Sequence, residues 1–125
     1  MRQLGRLEAV IMDRLWSYRR PVAVREVVED VQRDRTIAYT TVMTVMDNLH
    51  RKGFLTRAMD GRAYRYSPVQ TRKQHNAALM GHVLAASGDR AATLLQFLEQ
   101  MPPEEVARLR DALEERTPRD SGRRR

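Results

Sequence analysis

Thr40, Thr41, Met43, Thr44 and Asn48 form the densest group of side chains in this 125-residue sequence that could read another surface chemically. Hydroxyls donate or accept hydrogen bonds, an amide does both, and a threonine methyl packs on the C5 methyl of thymine, so base edges are a fitting partner. The group lies in the run AYTTVMTVMDNLHRKG, residues 38–53. Within it Val42, Val45, Met46 and Leu49 recur at i, i+3, i+4 and i+7, which predicts a helix with one buried stripe. The opposite face then carries Thr40, Thr44, Asp47 and Arg51, flanked by Thr41, Met43 and Asn48. A merely solvated helix would use Glu and Lys there, since Thr costs helix propensity. Helix capping is the competing use of Thr40 and Thr41.

A second group follows directly. Two short runs on either side of Asp60-Gly61 predict a β-hairpin, and it carries Arg57, Arg62, Arg65, Tyr64 and Tyr66. The strand period of two puts Tyr64 and Tyr66 on one side. A basic hairpin behind a recognition helix reads as the wing of a winged helix; a plain solvated hairpin is the alternative. His75 and His82 lie seven apart on one predicted helix without Asp, Glu or Cys at ligand spacing, so they read as polar surface or interface residues. His50 reads as a surface residue. No Ser-His-Asp arrangement, Gly-rich phosphate loop or facing pair of carboxylates can be assembled. Neither an enzyme, a cofactor nor a metal is expected. The absence of cysteine excludes disulfides and thiolate sites.

The positioning elements follow from periodicity. Leu4, Leu7, Ile11, Leu15 and Tyr18 predict a core helix over residues 5–18, with Trp16 in its apolar stripe. A very short strand at Val22 and Ala23 leads to a second helix over 24–32, where Ala23 occupies the position a Ser or Thr cap would take. After Ser67-Pro68 the character changes to three short amphipathic helices. Asp89 is placed to cap the second, and Pro102-Pro103-Glu104-Glu105 to start the third. Their apolar residues include Met80, Val83 and Leu84, then Leu94, Leu95, Phe97 and Leu98, then Val106, Leu109 and Leu113. Such helices are too small to bury themselves alone, and a homodimer would resolve that. The expected fold is mainly α with a small β wing: a winged helix-turn-helix domain over 1–70, a helical dimerisation domain over 71–116, and a basic disordered tail over 117–125.

Charge is unevenly spread. The net charge is +7, and residues 1–70 hold 13 basic and 8 acidic side chains, a local +5. Such an excess attracts polyanions. No apolar run approaches 18 residues and no signal-peptide core follows the start, so membrane insertion and secretion are not expected and the cytoplasm is.

The order helix, short strand, helix, Thr-rich helix, basic hairpin and helical tail resembles the BlaI/MecI family of penicillinase repressors over about Leu4 to Glu115. The most specific stretch is Ala38 to Met46 with Lys52-Gly53-Phe54-Leu55, supported by Leu7 to Met12 with Leu15-Trp16, and by Gly61 to Tyr66. The resemblance implies a homodimeric transcriptional repressor that binds a double-stranded operator dyad of TACA/TGTA type and controls β-lactam-response genes such as β-lactamase. By position it implies base contacts from Thr40, Thr41, Met43, Thr44 and Asn48. Phosphate contacts would fall on Tyr39, Arg51, Lys52, Arg62, Tyr64 and Arg65. In the family a membrane β-lactam sensor leads indirectly to cleavage within the dimerisation helices at an Asn-Phe bond. Here the matching bond is Gln96-Phe97, which departs from that pattern. Copper-responsive relatives carry a cysteine cluster that this chain lacks. Two other functions fit the residues: a winged-helix module that docks an acidic protein, and a DNA-binding regulator switched by a small ligand in the dimer interface.

Overall fold

The structure, a computed structural model, describes residues 3–123. Its elements are α1 (Arg6–Tyr18), β1 (Val22–Ala23), α2 (Val24–Val31), α3 (Tyr39–Arg51), β2 (Leu55–Asp60), β3 (Ala63–Pro68), α4 (Arg72–Ala86), α5 (Arg90–Leu98) and α6 (Pro103–Arg123). The chain forms two compact units, 1–79 and 80–125.

The first unit is built on a core to which every early element contributes. Ile11, Met12 and Leu15 of α1 meet Val27, Val28 and Val31 of α2 and Val42, Met46 and Leu49 of α3, with Val22, Leu55 and Tyr66 closing the sheet side. Val45, expected in the α3 stripe, is half-buried at its edge. The antiparallel sheet has the order β1-β3-β2. Val22 pairs with Tyr66 and Ala23 with Arg65, so the start of α2 is stitched to the hairpin. Asp60 pairs with Ala63, leaving Gly61-Arg62 as a two-residue turn with positive φ at Gly61 alone, the pattern of a type II′ turn. The turn therefore sits one residue later than Asp60-Gly61, and Arg62 stands at its tip.

Local chemistry explains the helix ends. Ala23 has no side-chain oxygen to cap α2, and Glu26 supplies the reciprocal half of a capping box by accepting the Ala23 N–H at 3.0 Å. Glu8 does the same for Gly5 at the start of α1, at 2.8 Å. At the end of α3, Gly53 has φ of 90°, with Gly53 N–H on the His50 carbonyl and Phe54 N–H on that of Leu49. That is the paired bonding of a Schellman cap, which needs the left-handed backbone only glycine adopts without cost.

One expectation is corrected. His75 is not a surface residue: it is only 5% exposed, its ring 5.2 Å from that of Trp16 and 5.8 Å from that of Phe54. This packing places the first turns of α4 in the first unit, beyond the change of character at residue 70. His82 is exposed. Trp16 is half-buried, its indole N–H donating to the Gln70 carbonyl at 2.9 Å. The backbone of α6 runs to Arg123, into the stretch 117–125 that composition predicts as a basic disordered tail. Arg124 and Arg125 lie outside the described residues.

In the second unit Asp89 caps α5 as expected, its side chain accepting the Ala92 N–H at 3.0 Å. No residue of α5 is buried.

Leu49, on the inner side of α3, is fully buried. Leu49→Ala is expected to lower stability by about 2–5 kcal/mol, the usual cost of a leucine-sized cavity, as read by urea unfolding.

Candidate nucleic-acid interface

α3 begins at Tyr39 with Ala38 as its N-cap, and no side chain caps it. Thr40 and Thr41 therefore do not serve as caps. They are exposed with Thr44 and Met43, and none of the three threonine hydroxyls is hydrogen-bonded within the described residues. Tyr39 is also exposed, while Asn48 is half-buried. The buried stripe thus turns an unpaired, uncharged, hydroxyl-rich surface outward from the first two turns of the helix.

Cations surround that surface, most of them held by carboxylates. Arg51 Nε lies 3.3 Å from Asp47, and its Nη2 donates to the Asn48 side chain. Lys52 donates to both oxygens of Glu8, at 2.8 and 2.9 Å. On the hairpin, Arg65 bridges Asp60 at 2.6 Å and Glu26 at 3.0 Å. Arg57 lies with its guanidinium carbon 4.2 Å from the Tyr64 ring centroid and reaches Asp47 on α3 at 3.2 Å. Tyr64 is exposed and Tyr66 buried, on the same side as expected, their rings 6.4 Å apart. Arg62, at the turn, is exposed and has no ion pair among the described residues.

The structure thus gathers Tyr39, Thr40, Thr41, Met43, Thr44, Asn48 and Arg51 on α3, and Arg62, Tyr64 and Arg65 on the hairpin, within one unit. The residues expected to dimerise, from Met80 to Leu113, all lie in the other unit. Sequence reasoning assigned no positioning role to four residues that hold the first group in place: Glu8, Glu26, Asp47 and Arg57. The i,i+4 spacing of Asp47 and Arg51 was a visible signal. The partners of Glu8 and Arg57 lie on other elements and leave no local trace.

Residues 4–115 match the penicillinase repressor family. The chain is 44% identical over 116 residues to the transcriptional regulator BlaI of Mycobacterium tuberculosis, strains CDC 1551 and H37Rv alike, covering 90% of this chain and 84% of theirs. The chain belongs to the penicillinase repressor family. Two solved structures share the fold of this family member. The DNA-binding domain of the repressor BlaI matches with a TM-score of 0.52 at 24% identity, over 56% of this chain and 84% of that one. MepR, a transcription regulator of a multidrug efflux pump of Staphylococcus aureus, matches with a TM-score of 0.50 at 15% identity, over 92% and 78%. The protein is a transcriptional repressor of the BlaI type with a winged-helix DNA-binding domain. No described helix is long and apolar enough to cross a membrane.

In this repressor the Glu8–Lys52 pair ties the start of α1 to the end of α3. Burial of Glu8 acts to raise its pKa, but the hydrogen bonds from Gly5 N–H and the Lys52 ammonium, with the charge of Lys52, outweigh burial and lower it. A carboxylate with a lowered folded pKa stabilises the fold above its unfolded pKa, about 4.3 for glutamate, and loses that contribution as pH falls through the lower folded value. Glu8→Gln is therefore expected to be less stable than the parent at pH 7, with the gap closing as pH drops below about 4. Urea unfolding across pH reads it, and a gap independent of pH would show that the charge of Glu8 contributes nothing.

Proposed function

We propose that two copies of this repressor bind a double-stranded operator dyad, presenting α3 to successive major grooves about 34 Å apart. The observation that carries this reading is the outward face of Thr40, Thr41, Met43 and Thr44, exposed on a helix whose other side is fully buried. In this reading those residues and Asn48 read base edges. Phosphates are held by Tyr39, Arg51, Lys52, Arg62, Tyr64 and Arg65, which set register without reading sequence. Arg62 is the least encumbered cation of that set.

The homodimer rests on residues 71–116. Val83 is 66% exposed, Leu95 61% and Leu113 53%, and Met80, Leu94, Phe97 and Leu109 are exposed with them. Leu84, Leu98 and Val106 are half-buried. Apolar side chains left open on three successive helices favour burial against a second copy. Release follows from loss of that dimer, and cleavage near Gln96-Phe97, inside α5, would sever it. A membrane β-lactam sensor acts indirectly at that step, the operator is of TACA/TGTA type in the cytoplasm, and the controlled genes are those of β-lactam response.

A salt titration of binding to a duplex carrying a TACA/TGTA dyad, beside a scrambled duplex, tests the reading. The dyad is expected to bind about a thousandfold more tightly or better. Thr44→Ala should lose much of that ratio, while Arg62→Ala should weaken both duplexes and lower the salt slope by about one. Equal binding of both duplexes by the parent would overturn the operator.

Leu95→Asp places a charge in the open apolar face. It is expected to yield a monomer in sedimentation, with the helical circular dichroism of the first unit retained and operator affinity lost. A dimer that survives would remove α5 from the interface.

A further inference from the structure

The amide of Asn48 is joined to the hairpin by an unbroken chain of contacts. Arg57 on β2 stacks on Tyr64, donates to the Tyr66 hydroxyl at 3.3 Å, and reaches one carboxylate oxygen of Asp47 at 3.2 Å. The other oxygen of Asp47 lies 3.3 Å from Arg51 Nε, and Arg51 Nη2 donates to the amide of Asn48. Arg57 is largely covered, its side chain 25% exposed, whereas that of Arg51 is 67% exposed. The covered arginine anchors the chain, and the exposed one needs an anchor.

The chemistry of the last link is one-sided. Arginine has only donors, so the group of Asn48 facing it must be the amide oxygen, however the two amide ends are drawn. The amide NH2 is then the end left for another partner. A neutral asparagine reads adenine by using both ends, accepting from N6 and donating to N7. Here the oxygen is engaged, and its remaining lone pair lies beside a guanidinium charge that repels donors. The site as a whole offers donors and favours an edge made of acceptors, that of guanine with O6 and N7.

We propose that Arg57 is a positioning residue for sequence reading: by clamping Asp47 it holds Arg51 on the Asn48 oxygen and makes Asn48 a donor-only reader of guanine. Asp47 would otherwise set an unneutralised carboxylate beside the phosphates, and two arginines from two elements remove that repulsion as well. The proposal rests on the operator reading above, so its test begins by separating the two.

Bound sequences are selected from a pool of randomised dyad duplexes with the full chain, and each base pair is then compared by competition. The Asn48→Ala variant marks the base pair that Asn48 reads. The parent is expected to prefer G·C over A·T at that pair, in either orientation, by about tenfold, the scale of one good base contact. Arg57→Met keeps an apolar stem on Tyr64 and removes the donors. It is expected to lose the preference at that same pair, to keep the preferences that Thr40 and Thr44 confer elsewhere, and to leave the salt slope unchanged. Asp47→Asn tests the link from the half-exposed helix side, without disturbing the hairpin, and should give the same local loss. A·T preferred at that pair in either orientation, or the parent's preference kept in Asp47→Asn, overturns the proposal. So does an Arg57→Met that weakens every duplex equally and lowers the salt slope by about one, because Arg57 is then a phosphate contact. A parent with no sequence preference at any pair overturns the operator reading itself, and the proposal with it.

Discussion

Burial of one face of α3 is the constraint on which the rest of the first unit depends. Val42, Met46 and Leu49 are fully covered by side chains of α1 and α2. Each such side chain is worth about 1.5–3 kcal/mol when removed from water. Together they hold the rotation of the helix about its axis. Rotating α3 to hide its threonines would expose those three residues and bury free hydroxyls, a loss on both counts. The polar face is therefore presented because the apolar face has no alternative. Gly53 ends the helix with a full Schellman cap, so the chain leaves α3 in a defined direction and delivers the hairpin beside it.

Electrostatics in this domain is organised by a few carboxylates. Glu8 pins α1 to the end of α3, Glu26 holds the Ala23 N–H at the start of α2 together with Arg65, and Asp30 takes Arg14 of α1 together with the Tyr18 hydroxyl. Burial first, then the bond to Asp30, raises the pKa of the Tyr18 phenol, so it stays a protonated donor. Exposed ion pairs add little stability singly. Their greater effect is geometric, because each joins elements that are distant in sequence. They also explain why a chain with 23 basic residues does not present a uniform positive surface. Many of the cations are already paired, and the unpaired Arg62 stands at the turn of the hairpin.

The second unit obeys a different rule. Its helices leave large apolar side chains open to water, and α5 buries none of its residues. A chain of this size has little core to spare for a second folding unit. Stability that comes from association depends on concentration, and removing the association removes the fold that depends on it.

What was legible in the sequence was whatever depends on residues close along the chain. The i, i+3, i+4 and i+7 stripe determined α3 and its outward face, Asp60-Gly61 announced the hairpin, Asp89 announced the cap of α5, and the specific run from Ala38 to Met46 determined the family. Contacts between distant elements were decided only by the fold. His75 reads as a surface histidine until Trp16 and Phe54 close over it, and Glu8 reads as a solvated acid until Lys52 reaches it from 44 positions away. Thr40 and Thr41 keep two readings until Ala38 takes the cap. Arg57 is one arginine among three on a hairpin until the fold brings it to Asp47. Periodicity carries burial because burial follows the local geometry of a helix or strand, whereas side-chain pairing across elements depends on the register in which those elements pack, and no local spacing encodes it.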